Sequence, residues 1–244
     1  MNHSSPTIAL ITGANKGIGF EVARQIGRCG ATVLLGCRHA SAGATAAAML
    51  IAEGLTAAHI GIDVTDRTLI AAAAARIEAE FGRLDILVNN AGINDPADGL
   101  PSAASLDAVE RVFHTNFLGA LAVTQTMLPL LRKSRSGRIV NVSSGLGSLA
   151  QNGDPNYSSA AVKLIGYSAA KAALNMLTVQ LAYELRDTAI KVNSADPGYT
   201  ATDLNGHRGH QTVPEGAAEA IRLALLEDDG PTGSFSNSDG RVPW

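Results

Sequence analysis

The chain has 244 residues, 46% of them apolar and 17% charged, with a formal net charge of −3, a balance that suits one α/β domain with a large shared core. No block of Lys or Arg stands out, which argues against a nucleic-acid surface, and no apolar run approaches the ~20 residues needed to span a bilayer. The opening MNHSSPTIAL has no basic stretch leading into an apolar one, so no secretory leader is expected.

Residues 7–12 (TIALIT) read as a buried strand, and 19–29 as a helix stopped by Gly30. Residues 31–37 form a second strand and 41–54 a second helix. Cys29 and Cys37 flank that second strand without forming a cluster, so two reduced thiols and a cytoplasmic setting are expected. The third strand covers 57–64. Asp66 can cap a helix that runs to Phe81 and stops at Gly82. Residues 84–90 read as strand four, 106–131 as one long helix with Pro129 near its end, and 137–144 as strand five. A helix over 167–186, a sixth strand over 189–197, a helix over 214–227 opened by Pro214 and a last strand near 232–237 complete the order. Strands that are apolar throughout and alternate with helices predict a single Rossmann-type doubly wound parallel sheet of about seven strands, with helices on both faces and one domain over 1–244. Ligands then lie beyond the carboxyl ends of the strands.

The first of those ends carries TGANKGIG, 12–19. Gly13 permits a tight turn, Gly17 admits close approach of a bound group, and Gly19 lets the helix lie against the strand. The helix N-terminus offers unpaired N–H groups to a pyrophosphate. About 20 residues further on, an acid would select NAD by bonding the ribose 2′-hydroxyl. No Asp or Glu occurs between Glu21 and Glu53; the position offers Arg38. An Arg pairs bidentately with a 2′-phosphate, and Lys16 adds a second charge. The expected cofactor is therefore NADP(H).

Strand five ends in Ser143-Ser144, and Tyr167 and Lys171 stand four apart on a helix, hence on one face. An ammonium beside a phenol lowers the phenol pKa from ~10 toward a useful acid/base range. A serine hydroxyl can polarise a carbonyl. The set suits proton transfer to an alcohol oxygen while hydride moves at its carbon. A competing tyrosine, Tyr157, lies 13 residues after Ser144, against 23 for Tyr167. Its nearest following lysine, Lys163, is six residues on and so on another helix face. Asp154, Pro155 and Asn156 before it read as turn. Helical spacing selects Tyr167. His207 and His210 lack a third ligand, so no metal site is expected.

Taken in order, these motifs resemble the short-chain dehydrogenase/reductase family over nearly the whole chain. TGANKGIG resembles its glycine motif, which implies cofactor contacts from Gly13, Asn15, Lys16, Gly17, Ile18 and Gly19. Asp63, followed by Val64, sits where the family has an adenine-contacting Asp. Residues 89–92 (NNAG) resemble the motif beside the cofactor and imply contacts from Asn90, Ala91 and Gly92. Residues 197–202 (PGYTAT) resemble the loop over the nicotinamide and its phosphates, and imply Pro197, Gly198, Thr200 and Thr202. Asn116, Ser144, Tyr167 and Lys171 match the catalytic tetrad. The resemblance implies that Tyr167 is the acid/base, that Lys171 holds the nicotinamide ribose and depresses the Tyr167 pKa, that Ser144 bonds the substrate oxygen, and that Asn116 holds a relay water. Residues 15–19 (NKGIG), Arg38 and the closing GRVPW resemble the NADPH-dependent carbonyl reductases, which reduce ketones, aldehydes or quinones. The longer spacing before Tyr167 resembles an insertion, 153–165, that obstructs helix–helix assembly. It implies a monomer or homodimer rather than a tetramer. Leu146, Tyr157, Leu164 and Tyr199 are candidates for the substrate pocket. Two other readings are a non-catalytic NADP(H)-binding redox sensor, which would not need all four tetrad residues, and a 3-oxoacyl-thioester reductase, which predicts a basic docking surface.

Overall fold

The structure is a computed structural model that describes residues 6–244; Met1 to Ser5, part of the stretch read for a leader, lie outside the described residues. In chain order it runs β1 (Ile8–Thr12), α1 (Gly17–Arg28), β2 (Thr32–Cys37), α2 (Ala40–Ala52), β3 (Ala57–Gly61), α3 (Arg67–Phe81), β4 (Ile86–Asn89) and α4 (Leu106–Phe113). A π-helical turn (His114–Gly119) leads into α5 (Ala120–Leu131). Then follow β5 (Arg138–Val142), α6 (Leu149–Gly153), α7 (Ile165–Glu184), β6 (Lys191–Ala195), α8 (Val213–Ala224), β7 (Ser234–Asn237) and β8 (Gly240–Arg241).

The strands form one sheet in the order β3-β2-β1-β4-β5-β6-β7-β8, parallel up to β7. The eighth strand, beyond the seven expected, is a two-residue antiparallel return from β7. Alternation along each strand divides the core between the two faces. Ile8 and Leu10 of β1, Leu34 of β2, Leu87 of β4 and Ile139 of β5 pack with Ile70 and Ile77 of α3, Met127 of α5 and Leu181 of α7. Ala9 and Ile11, Val33 and Leu35, Ile86 and Val88, and Val140 and Val142 face Val22 and Ile26 of α1, Leu50 of α2 and Leu223 of α8. Burial on both faces is why these strands read as continuous apolar runs.

Local signals set the helix ends. Asp66 accepts from Thr68 N (2.8 Å) and Leu69 N (3.2 Å) at the start of α3, and Gly82 closes it at φ 72°. Thr212 and Glu215 form a capping box on α8 with Pro214 in its first turn. Two elements differ from expectation. The helix expected over 106–131 is interrupted by the π turn, which contains Asn116; such turns gather at functional sites. The stretch ahead of α7 includes the short helix α6, capped by Ser148 on Gln151 N.

A buried polar chain crosses the sheet. Asn89 Nδ2 donates to Thr124 Oγ1 (2.9 Å) and Asn141 Oδ1 (2.8 Å). Asn141 Nδ2 donates to Thr178 Oγ1 (2.8 Å), which lies 2.8 Å from Ser194 Oγ. It ties β4, β5 and β6 to α5 and α7 and fixes the strand ends that bear the site. The strand order reverses between β1 and β4, so a crevice opens above their carboxyl ends.

Candidate active site

That crevice is a cleft of about 810 Å³. Its floor is the glycine turn between β1 and α1. Gly13 (φ 65°) and Gly17 (φ 58°) hold left-handed conformations that favour glycine. A Cβ on Gly19 would lie 2.3 Å from Asn90 Nδ2 and one on Gly13 2.9 Å from Ala91 Cα. Asn90 occupies this gap for a reason: its Nδ2 donates to Thr12 O (2.9 Å) and Gly13 O (3.2 Å), while Thr12 Oγ1 accepts from Asn90 N and Ala91 N, both at 3.0 Å. The turn after β1 and the end of β4 are thereby locked together. Lys16 precedes α1 in extended conformation and its side chain makes no cap, so the first-turn N–H groups of α1 have no side-chain partner there.

Gly13, Asn15, Lys16, Gly17, Ile18, Gly19, Arg38, Asp63, Val64, Asn90, Ala91, Gly92, Tyr167, Lys171, Pro197 and Thr202 all line this one cleft. Gly198 and Thr200 do not. Thr200 is buried, donates to Pro197 O (2.9 Å) and packs against Gly216, so it shapes the loop from beneath. Arg38 stands at the end of β2, exposed and in no ion pair among the described residues; its Nε lies 3.2 Å from His39 Nε2. Lys16 is paired with Asp203, which also meets His207 Nε2 at 2.7 Å. Asp203 and His207, four residues apart, line the cleft, a pairing that sequence reading missed while weighing His207 and His210 as metal ligands. Asp63 Oδ1 accepts from Thr65 N (2.9 Å) and Oγ1 (2.7 Å), and these bonds, ahead of a weaker pull from Arg38, hold its carboxyl below the usual range.

The end of β5 and the first turns of α7 carry the catalytic candidates. The Ser144 hydroxyl accepts from Leu146 N (3.2 Å) and stands near enough to the Tyr167 phenol to favour its charged form. Lys171 is 4% exposed; its Nζ donates to Val142 O (2.7 Å) and sits 5.5 Å from the Tyr167 ring centroid. The N-terminus of α7 is held by a residue that sequence reasoning missed. Asp98 Oδ1 accepts from Gly166 N (2.9 Å) and Oδ2 from Tyr167 N (2.8 Å). A carboxylate before Gly99 gave no signal because its partners lie 68 and 69 residues away. Asn116 is buried, with Oδ1 accepting from Ile93 N (2.8 Å) and Nδ2 donating to Ile93 O (2.9 Å). Its amide thus fixes the loop after β4, and Gly92 brings that loop near Lys171.

The electrostatics differ from the expectation of a phenol acidified by its lysine. Burial, followed by the charge of Asp196, pushes the Tyr167 phenol up to about 12, with the Ser144 hydroxyl pulling the other way. Burial pushes the Lys171 ammonium down to about 8, partly opposed by Asp196. Both shifts begin with burial; Lys171 donates to the Val142 carbonyl, and the carboxylate that acts on both groups is Asp196. Asp196 closes β6, is 9% exposed, and was not singled out from the sequence. Burial raises its own pKa.

The four pocket candidates are scattered. Leu146 and Leu164 are half-buried, Tyr199 is exposed beside His210 with ring centroids 5.9 Å apart, and none of the four lines the cleft. Tyr157 reaches back over Gly145, next to Ser144. Among the described residues no group of three or more His, Cys, Asp or Glu is placed to hold a metal ion, and no helix is long and apolar enough to cross a membrane.

Residues 7–212 match the model of the short chain dehydrogenase family. A curated relative, the short-chain dehydrogenase anuI of Penicillium roqueforti, is 38% identical over 223 residues, covering 89% of this chain and 88% of that protein. The solved structure of salutaridine reductase from Papaver somniferum is 29% identical with a TM-score of 0.82, covering 95% of this chain and 99% of that one. NADPH-bound carbonyl reductase from chicken fatty liver is 28% identical with a TM-score of 0.84, covering 98% of each chain.

Proposed function

The chain belongs to the short-chain dehydrogenase family, and from that premise we propose that it is an NADP(H)-dependent oxidoreductase that reduces a ketone, aldehyde or quinone carbonyl with Tyr167 as general acid. The observation that carries the reading is the Tyr167 phenol set beside the buried Lys171 ammonium, 5.5 Å from its ring centroid, with both residues lining the cleft that the glycine turn opens.

The residues fit the dinucleotide. The turn is packed so tightly at Gly13 and Gly19 that backbone, not side chain, faces the cleft. The first turn of α1 offers N–H groups and a positive dipole end to a pyrophosphate. Arg38, in no ion pair among the described residues and with no acid at the end of β2, suits a 2′-phosphate. Lys16 can join it only by leaving Asp203. The bound dinucleotide would supply the hydride.

The protein's part is to orient and to move a proton. Ser144 holds the substrate oxygen and Tyr167 donates its phenolic proton to that oxygen as the carbon is reduced. A phenol held near 12 keeps its proton at neutral pH, which suits the reductive direction. Lys171 binds the ribose hydroxyls and stabilises the phenolate that results. Asn116 holds the loop after β4 against Ile93 and, with the π turn, supports a relay from Lys171 to solvent. We take the protein to act in the cytoplasm, in keeping with two free thiols, as a monomer or homodimer, with 153–165 as an insertion ahead of α7.

The test is a panel of ketones, aldehydes, quinones and an acetoacetyl thioester, assayed with NADPH and with NADH. NADPH-dependent reduction of free carbonyl compounds is the expected result. Cofactor binding without turnover of any of them would favour the redox sensor, and turnover of the thioester alone the thioester reductase.

A further inference from the structure

The first turn of α7 has no cap of its own. Leu164, at the capping position, makes no side-chain bond to it, and a helix leaves its first N–H groups without partners inside the helix. Two consecutive residues of the loop after β4 take the three N–H groups that lead to the acid. Ile165 N donates to Gly99 O (3.0 Å), Gly166 N to Asp98 Oδ1 (2.9 Å) and Tyr167 N to Asp98 Oδ2 (2.8 Å). We propose that Asp98 is a positioning residue for the proton transfer. It sets where the Tyr167 phenol stands, and so governs kcat, although it lines no part of the cofactor cleft. The proposal rests on the reductase reading above and adds to it a residue outside the tetrad and the cofactor motifs.

The carboxylate is preset for this role. Its Oδ1 also accepts from Gly99 N (2.8 Å), so both oxygens are engaged. Asp98 N donates to Asp95 O (3.0 Å). Asp95 is in turn clasped by Arg111 of α4, whose Nε and Nη2 lie 3.0 and 2.8 Å from Asp95 Oδ2. Gly166 is where helix and carboxylate meet. A Cβ there would lie 3.0 Å from Val109 Cα of α4 and 3.1 Å from Asp98 Oδ2, so glycine lets both come this close. A negative charge at this end also suits the helix dipole.

The placement separates the acid from the lysine. Tyr167 is the third residue of α7, and Lys171 lies a turn further in, with its own anchor on Val142 O (2.7 Å). Loss of the Asp98 bonds therefore loosens the turn that carries the phenol and leaves the ammonium held. The same loop is fixed at its start, because Asn116 bonds Ile93 through both its amide oxygen and its amide nitrogen. Residues 93–99 thus join Asn116 to the start of α7, and one short loop sets two members of the tetrad relative to each other. A cap elsewhere would only stabilise its helix. Here the capped residue is the acid itself, and a misplacement of about 1 Å at a reacting group costs up to about a hundredfold in rate.

The experiment measures kcat per mole of bound NADPH, with the best ketone of the panel above and the bound fraction from a fluorescence titration. Wild type is compared with Asp98→Ala, Asp98→Asn and Asp66→Ala. Asp66 accepts two N–H groups at the start of α3, as Asp98 does at α7, so its removal costs comparable stability without touching α7. Asp98→Ala should lower kcat per bound cofactor roughly ten- to a hundredfold, with the NADPH dissociation constant nearly unchanged. Asp98→Asn keeps one oxygen acceptor and should recover part of that loss. Asp66→Ala should melt lower and keep the wild-type kcat. Should Asp98→Ala fail to fold, Asp98→Asn carries the test, and its kcat should lie below that of wild type. Wild-type kcat in the Asp98 variant that carries the test, or a loss confined to NADPH binding, overturns the positioning role and leaves the reductase reading intact. An equal fall of kcat in Asp66→Ala assigns the effect to lost stability and overturns the role as well. A wild-type protein that reduces no carbonyl compound overturns the reductase reading and the proposal with it.

Discussion

Lys171 Nζ lies 5.5 Å from the Tyr167 ring centroid while donating to Val142 O at 2.7 Å. One turn of α7 separates the two side chains, and the carbonyl at the end of β5 pins the ammonium between α7 and the sheet. Tyr157 has no comparable lysine: it sits in turn structure before α7, and its hydroxyl faces Gly145.

That distinction sets the first expectation. Tyr167→Phe should lower ketone reduction by roughly 10²- to 10⁴-fold, the usual worth of a positioned general acid, with NADPH binding retained in a fluorescence titration. Tyr157→Phe should keep turnover of a simple ketone far above that level. If Tyr157→Phe proves to be the inactive variant, the assignment of the acid is wrong.

The cleft chemistry makes NADPH use depend on pH. Burial lowers Lys171 to about 8 and Asp196 partly restores it. Above that pH the ammonium is lost, so kcat/KM for NADPH, which reports the free enzyme, should fall as pH rises through about 8. The groups set beside Lys171 are the Tyr167 ring and the Asp196 carboxylate. Asp196→Asn removes the carboxylate that favours the charged form, so the limb should move to lower pH. A limb that stays put or moves upward would sink the electrostatic account.

Among the described residues Arg38 forms no ion pair, and its attraction to Asp63 is weak. Replacing it by Gln should weaken NADPH in kcat/KM by roughly ten- to a hundredfold and leave NADH nearly unchanged. Equal losses for the two cofactors would remove the 2′-phosphate role.

Gly19 tests the lock between β1 and β4. A methyl there would lie 2.3 Å from Asn90 Nδ2 and 2.8 Å from Gly13 O, and overpacking of this kind costs about 1–3 kcal/mol. Gly19→Ala should lower the thermal midpoint and weaken NADPH together. A variant with wild-type melting and binding would show that Asn90 can move without cost.

Light scattering on the purified protein should give the mass of a monomer or dimer. A stable tetramer would refute the idea that 153–165 obstructs assembly.

Much of this was legible in the residue order because it is written in short-range patterns. Apolar runs separated by amphipathic ones gave the strands, helices and two-faced sheet. Four-residue spacing put Tyr167 and Lys171 on one face of α7, and the glycine spacing gave the turn that floors the cleft. What was not legible depends on distance in sequence. Asp98 bonds the start of α7 from 68 residues away. The π turn at Asn116 carries no composition of its own. The upward direction of the Tyr167 shift was not legible because its largest cause, burial, and its second, the charge of Asp196, both come from groups distant in sequence.

By itself, then, the sequence determined the fold and most of the residues that line the cleft, since each depends on periodicity or on neighbours within a turn. Only the tertiary structure decided what surrounds Ser144 and Tyr167. Gly145, Gln151, Tyr157 and Asp196 belong to four unremarkable local contexts, and they become one environment only when β5, the stretch before α7 and the end of β6 pack together. Burial and field at that point come from through-space neighbours, which no local pattern encodes.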